Sequence, residues 1–89
     1  MIVVDRLSNA RWQARPRFGL RDNVTETWLF VRHNKYAVLP VTFEDRDNAA
    51  DAAVRTENGH IAGLTNPQSY CWARNSEEAR TIFALRGLP

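Results

Sequence analysis

The chain of 89 residues contains one cysteine and one lysine, and nowhere does it carry an apolar run long enough to span a bilayer. A lone Cys71 excludes an intramolecular disulfide. With only two histidines beside it, the chain lacks the four Cys or His ligands that a structural zinc site needs. The four glycines are scattered at positions 19, 59, 63 and 87, and no glycine-rich run precedes a Lys-Ser or Lys-Thr pair, which argues against a phosphate-binding loop and nucleotide hydrolysis. Met1-Ile2-Val3-Val4 is followed at once by Asp5-Arg6, too short an apolar stretch for a signal peptide. A reducing, cytoplasmic location is therefore expected, and there the sequon Asn23-Val24-Thr25 has no meaning.

What is present is ordinary globular material, with 44% hydrophobic and 25% charged residues in a length that holds one core, so a single domain over residues 1–89 is expected. Eleven arginines against one lysine reflect the base composition of a GC-rich genome more simply than a selected arginine chemistry. The net charge is only +2, but it is uneven: residues 1–43 hold seven basic and three acidic groups, and residues 44–57 two basic and five acidic. Such polarity orients encounters with charged partners over a reach of about 8 Å in physiological salt.

Periodicity predicts an α+β fold, an antiparallel sheet of four to five short strands with two helices on one face. Ile2-Val3-Val4 reads as a first strand, extendable to Leu7. Ser8 to Arg15 admits a helical turn stopped by Pro16, and Arg17–Leu20 a short strand. Thr25–Arg32 and Tyr36–Phe43, separated by His33-Asn34-Lys35, have the composition of a hairpin. Its first arm is apolar on both faces, and Pro40, unable to donate a ladder hydrogen bond, puts the second arm at an edge or a bend.

Residues 46–57, alanine-rich with acidic groups in the first turns, predict a helix with an Ala50, Ala53 and Val54 stripe, ending at Asn58-Gly59. Asn58-Gly59 is equally a two-residue hairpin signal joining 53–57 to 60–64, and composition alone leaves both readings open. Residues 69–74 read as a strand with Tyr70 and Trp72 on one face and Cys71 and Ala73 on the other. A second helix over 76–87 is announced by Asn75, or Ser76 one residue on, as its cap, with Glu78 three residues after Asn75 completing a capping-box pattern, and is ended by Gly87. Its apolar stripe is expected to be Ala79, Ile82, Phe83 and Leu85.

Chemistry is tested against spacing. Asp45-Arg46-Asp47 opens like a calcium loop, but Ala49 and Ala50 stand where an oxygen ligand and the turn glycine belong, and Thr56 where the bidentate glutamate belongs. A solvated helix start is the simpler account. Cys71 flanked by Tyr70 and Trp72 in a strand has the setting of a small buried hydrophobe, and nothing in its spacing to His33 or His60 makes a nucleophile of it. No catalytic residue, metal ligand or cofactor motif is therefore assigned.

Three surfaces remain as docking candidates, the first being the strand edge at Pro40. Arg11, Arg15, Arg17 and Arg21 alternate with Trp12 and Phe18, an arrangement that can grip phosphates and stack bases, or dock on the acidic surface of a partner protein. The plainer reading makes Trp12 and Phe18 core anchors and the arginines solubilising groups. Glu44, Asp45, Asp47 and Asp51 form the competing acidic surface. By elimination the expected function is non-enzymatic: binding to a protein or nucleoprotein complex and inhibiting or modulating it by occlusion. Direct nucleic-acid binding is the alternative, homodimerisation is compatible with either, and no membrane association is expected. Phages and mobile elements encode compact domains of this kind, anti-CRISPR proteins among them, although no residue pattern in this chain carries a resemblance to them.

Overall fold

A computed structural model describes residues 1–7, 17–34, 37–57, 60–61 and 66–87. Strands β1 (Ile2–Leu7), β2 (Arg17–Asp22), β3 (Thr27–Asn34) and β4 (Ala37–Pro40) are followed by helix α1 (Arg46–Arg55). Then come the short strands β5 (Thr56–Glu57) and β6 (His60–Ile61), a 3₁₀ turn at Pro67–Ser69, β7 (Tyr70–Ala73) and helix α2 (Ser76–Leu85). The α+β architecture read from the sequence is present: five of the strands form one antiparallel sheet.

The hairpin of β1 and β2 runs from Ile2↔Asp22 to Leu7↔Arg17. Its nine connecting residues, with the helical turn expected there, lie outside the described residues. A tight turn at Asn23–Glu26 returns the chain into β3. Asp22 Oδ1 accepts from the Val24 N–H at 2.9 Å, which holds that carboxyl below its ordinary range. Glu26 takes the left-handed conformation at φ 58°, and Arg21 Nη1 donates to its side chain at 2.9 Å.

The sheet forks after that turn. β2 pairs with β3 only at Arg21↔Trp28 and Asp22↔Thr27. Beyond this point the strands part and the chain leaving β4 enters between them: the Val41 N–H donates to Leu29 O, and Phe43 exchanges both backbone hydrogen bonds with Phe18. On its opposite side β3 pairs with β7 from Trp28↔Ala73 to Val31↔Tyr70. Pro40 thus lies in a strand whose only ladder within the described residues is with β3, as its missing N–H requires. β3 runs on through His33 to Asn34 instead of turning at 33, and Asn34 Oδ1 accepts from the Ala37 N–H at the start of β4; residues 35 and 36 lie outside the described residues.

Alternation along β3 places Leu29 and Phe30 on opposite faces, and each face has its own core. Leu20 and Leu29 pack with Ala49 and Ala52 of α1, while Phe30, Val38, Cys71 and Ala73 pack with Ala79 and Phe83 of α2. The two helices therefore cover opposite faces, which corrects the expectation that they share one. A sheet apolar on both sides needs a cover on both.

Two stripes are also corrected. In α1 the buried residues are Ala49 and Ala52 with Ala53 partly covered, whereas Ala50 is exposed and Val54 is 85% exposed. Val54 sits about 140° round the helix from Ala49. In α2, Leu85 is 83% exposed because it lies about 120° from Ala79, off the line through Ala79, Ile82 and Phe83.

The rival readings of residues 53–64 are each partly realised. The helix ends at Arg55, where the Thr56 hydroxyl donates to Ala52 O, and Thr56↔Ile61 and Glu57↔His60 then pair as a minimal hairpin. Asn58 and Gly59, and residues 62–65, lie outside the described residues. The start of α2 is as read: Asn75 Oδ1 accepts from the Glu78 N–H at 2.8 Å. Its end is as read too, with Gly87 at φ 70° donating to Ala84 O.

Candidate binding surface

Because α1 packs on β1 and β2 while α2 packs on β7, β4 and β3, the helices sit diagonally and each leaves the other half of its face bare among the described residues. On the α1 face the bare half is apolar. Val31, Val41 and Tyr70 are half-buried there, and Leu39 is 52% exposed. With His33 at one end they line a groove of about 290 Å³. At the fork of the sheet lies a second and larger cleft of about 560 Å³, lined by Arg6, Leu7, Arg17, Trp28, Leu39, Pro40 and Thr42. Leu39, Pro40 and Thr42 line both hollows and form a ridge between them.

A glycine makes the larger cleft possible. A Cβ placed on Gly19 would lie 3.1 Å from Cε3 and Cζ3 of Trp28 and 3.2 Å from Leu7 Cδ2. The bare backbone of β2 thus lets the indole and Leu7 settle side by side across the strand.

The residues singled out in the sequence have other occupations. Arg17 pairs with Glu44 at 3.0 Å. Arg21 donates to Asp5 at 2.6 Å and to Glu26 at 2.9 Å, and the Asp5 hydrogen bond raises the already high pKa of its guanidinium. Phe18 belongs to the core under α1, with the Arg46 guanidinium 4.9 Å from its ring centroid. The β-strand period puts Phe18 on the face opposite Arg17 and Arg21, so these three do not form one surface. Arg11, Trp12 and Arg15 lie outside the described residues.

The acidic surface is likewise engaged. Asp45 caps α1 by accepting from the Asp47 N–H at 2.8 Å, Asp51 pairs with Arg55 one turn on, and Asp47 sits in the first turn, where the helix dipole favours it. The helix-start reading of Asp45-Arg46-Asp47 is what the geometry gives. Among the described residues no group of three or more His, Cys, Asp or Glu is placed to hold a metal ion, and no helix is long and apolar enough to cross a membrane.

Cys71 is buried in the core beneath α2, and that burial pushes its thiol pKa up. It is expected to react with a thiol reagent about three orders of magnitude more slowly in the native protein than in denaturant, since access requires unfolding. Equal rates in the two conditions would contradict its placement. Nearby, Arg86 Nη1 donates to the carbonyls of Gln68 at 3.0 Å and Tyr70 at 2.6 Å while its guanidinium lies over Phe83, stapling the end of α2 to the start of β7.

The Pro40 edge was among the docking surfaces that the sequence offered, but Leu39 beside it was not singled out. Its signal was there in part, since Val38-Leu39 is apolar on both faces beside a proline that breaks pairing. What the sequence does not tell is that the covering helix lies over the other half of the face. Compared with described protein families, curated proteins and solved structures, the chain matches none.

Proposed function

We propose that this protein is a small non-enzymatic binding domain that docks on a larger protein or nucleoprotein complex through the Leu39–Thr42 ridge and its grooves, and inhibits or modulates that complex by covering a surface. The observation that carries the reading is Leu39, a half-exposed leucine in a strand, continuous with Val31, Val41 and Tyr70 on a half-face that no described helix covers. A contiguous exposed apolar patch rimmed by polar groups is the usual mark of an interaction surface. Docking on protein is favoured over direct nucleic-acid binding, because Arg17 and Arg21 are held in ion pairs and Phe18 in the core.

A cytoplasmic setting, a second copy of the chain as partner, and an origin in a phage or mobile element, with anti-CRISPR action as one form of inhibition, extend the same proposal. Their support is compositional: 89 residues, one cysteine, and eleven arginines to one lysine. A photo-crosslinking side chain at Leu39 is expected to give a discrete adduct in an extract of the source cells. The same group at Val54, exposed on the far side of α1, is expected to give none. Adducts from Val54 alone would reject the surface.

A further inference from the structure

We propose that the outer edge of β1 pairs antiparallel with the same edge of a second copy of this chain, about a two-fold axis at Val4, so that the sheet continues across both copies. The inference does not rest on the Leu39–Thr42 ridge, which lies beyond the fork. Its first support is which backbone groups face outward. β1 ends the sheet, with β2 on one side and no strand on the other among the described residues. The Asn23 N–H donates to Met1 O at 3.1 Å, and antiparallel pairing alternates, so Val3, Asp5 and Leu7 bond to β2 while Ile2, Val4 and Arg6 turn their N–H and C=O groups away. Phe18 fixes the same phase: it is the register partner of Arg6, but it exchanges both backbone hydrogen bonds with Phe43. The strand runs without a bulge and contains neither proline nor lysine, so nothing blunts this edge. The edge at β7 is the contrast, a shorter strand whose Tyr70 carbonyl is taken by Arg86.

The second support is that the edge is complementary to itself, as a two-fold contact requires. Val4 opposite Val4 sets Ile2 opposite Arg6, and every outward N–H and C=O on both copies then finds a partner. Charge agrees with that register. Arg6 is exposed, with no ion pair among the described residues, and it comes to lie across Ile2 of the second copy from that copy's Asp22. The separation is two strand spacings, about 10 Å, which an extended arginine and a carboxylate span together. On the other face Asp5 meets Val3 of the second copy, whose register neighbour is Arg21. Sliding the pairing two residues one way sets Asp5 against Asp5, and the other way leaves Arg6 unpaired. The register that satisfies the backbone is thus also the one that separates like charges, which favours a second copy over an unrelated strand.

A seam one strand wide is a small contact, so a Kd of about 100 µM is expected. Light scattering should give the monomer mass at about 20 µM and approach twice that mass at about 1 mM. Over the same range hydrogen exchange followed by NMR should slow about fourfold at the amides of Ile2, Val4 and Arg6, and stay near constant at Val3, Asp5 and Leu7, which bond to β2 in either state. Arg6→Pro removes an outward donor that makes no bond within the fold, and is expected to weaken the dimer at least about tenfold. If that variant does not fold, the alternation of exchange along β1 of the unaltered chain decides. A monomer at about 1 mM, well above the expected Kd, would overturn the proposal. So would slowing that does not alternate along β1, a dimer that survives Arg6→Pro or is broken by Leu39→Asp, or protection of Ile2, Val4 and Arg6 that comes only with an unrelated protein.

Discussion

Replacing Phe83 with alanine is expected to lower the stability of the fold by about 3–5 kcal/mol. The ring is 2% exposed and is the largest side chain that α2 contributes to the sheet, where it meets Phe30, Val38 and Cys71. Its partners are strands and a helix fixed by their own hydrogen bonds, so the void closes only in part. The loss also removes the face on which the Arg86 guanidinium rests, and with it part of the staple that ties α2 to β7. A chain of this length has about 4–13 kcal/mol in all, so urea unfolding should show the midpoint falling by about a quarter or more with the slope unchanged. A loss below about 1 kcal/mol would mean that α2 does not close this face.

The companion experiment addresses the other face. Leu20→Ala, at a position that is 0% exposed, is expected to cost about 2.7–5 kcal/mol. Ala49 and Ala52 opposite it have no length with which to fill the gap. The two cores share no buried residue and are separated by the sheet, so the two losses should add. Their sum, about 6–10 kcal/mol, is comparable to the whole stability, and the double variant is expected to be largely unfolded. Strong non-additivity would show that the cores communicate through the sheet.

How much of this was legible in the sequence depended on whether a feature is local. Ile2-Val3-Val4, the apolar run at 27–32, the alternation Tyr70-Cys71-Trp72-Ala73 and the Asn75–Glu78 cap each express their structure within a few residues, and each appears where the sequence placed it. The faces of the helices were less legible. α1 is built on alanines, and Ala49/Ala52/Ala53 and Ala50/Ala53/Val54 are nearly equivalent patterns until a sheet selects one. Only tertiary packing makes Val54 the residue left in water.

The fork was beyond reach for a different reason. Insertion of Val41–Phe43 between β2 and β3 pairs Phe18 with Phe43 across 25 positions of sequence, and no short window carries that information. The same distance explains the surfaces. Arg17, Phe18 and Arg21 admitted two readings, a basic and aromatic string or a core-anchoring Phe18 between solubilising arginines; Phe18 is packed against the core under α1 as the plainer reading had it, and Glu44 and Asp5 arrive from elsewhere to pair the arginines. Leu39 drew no attention for the converse reason: a leucine in a strand reads as core until the cover over it is found to lie on the other half of the sheet.

The claim that this half-face is the docking surface is tested most directly by co-purification from the source cells with wild-type protein, Leu39→Asp and Val54→Asp side by side. Both substituted leucine and valine positions are exposed, so all three proteins should unfold within about 0.5 kcal/mol of one another. Wild type and Val54→Asp are expected to retain the same macromolecule in near-stoichiometric amount, and Leu39→Asp to bind it about 30-fold or more weakly, as a charge placed at the centre of an apolar contact should. Retention of that partner by Leu39→Asp at wild-type strength would contradict the account.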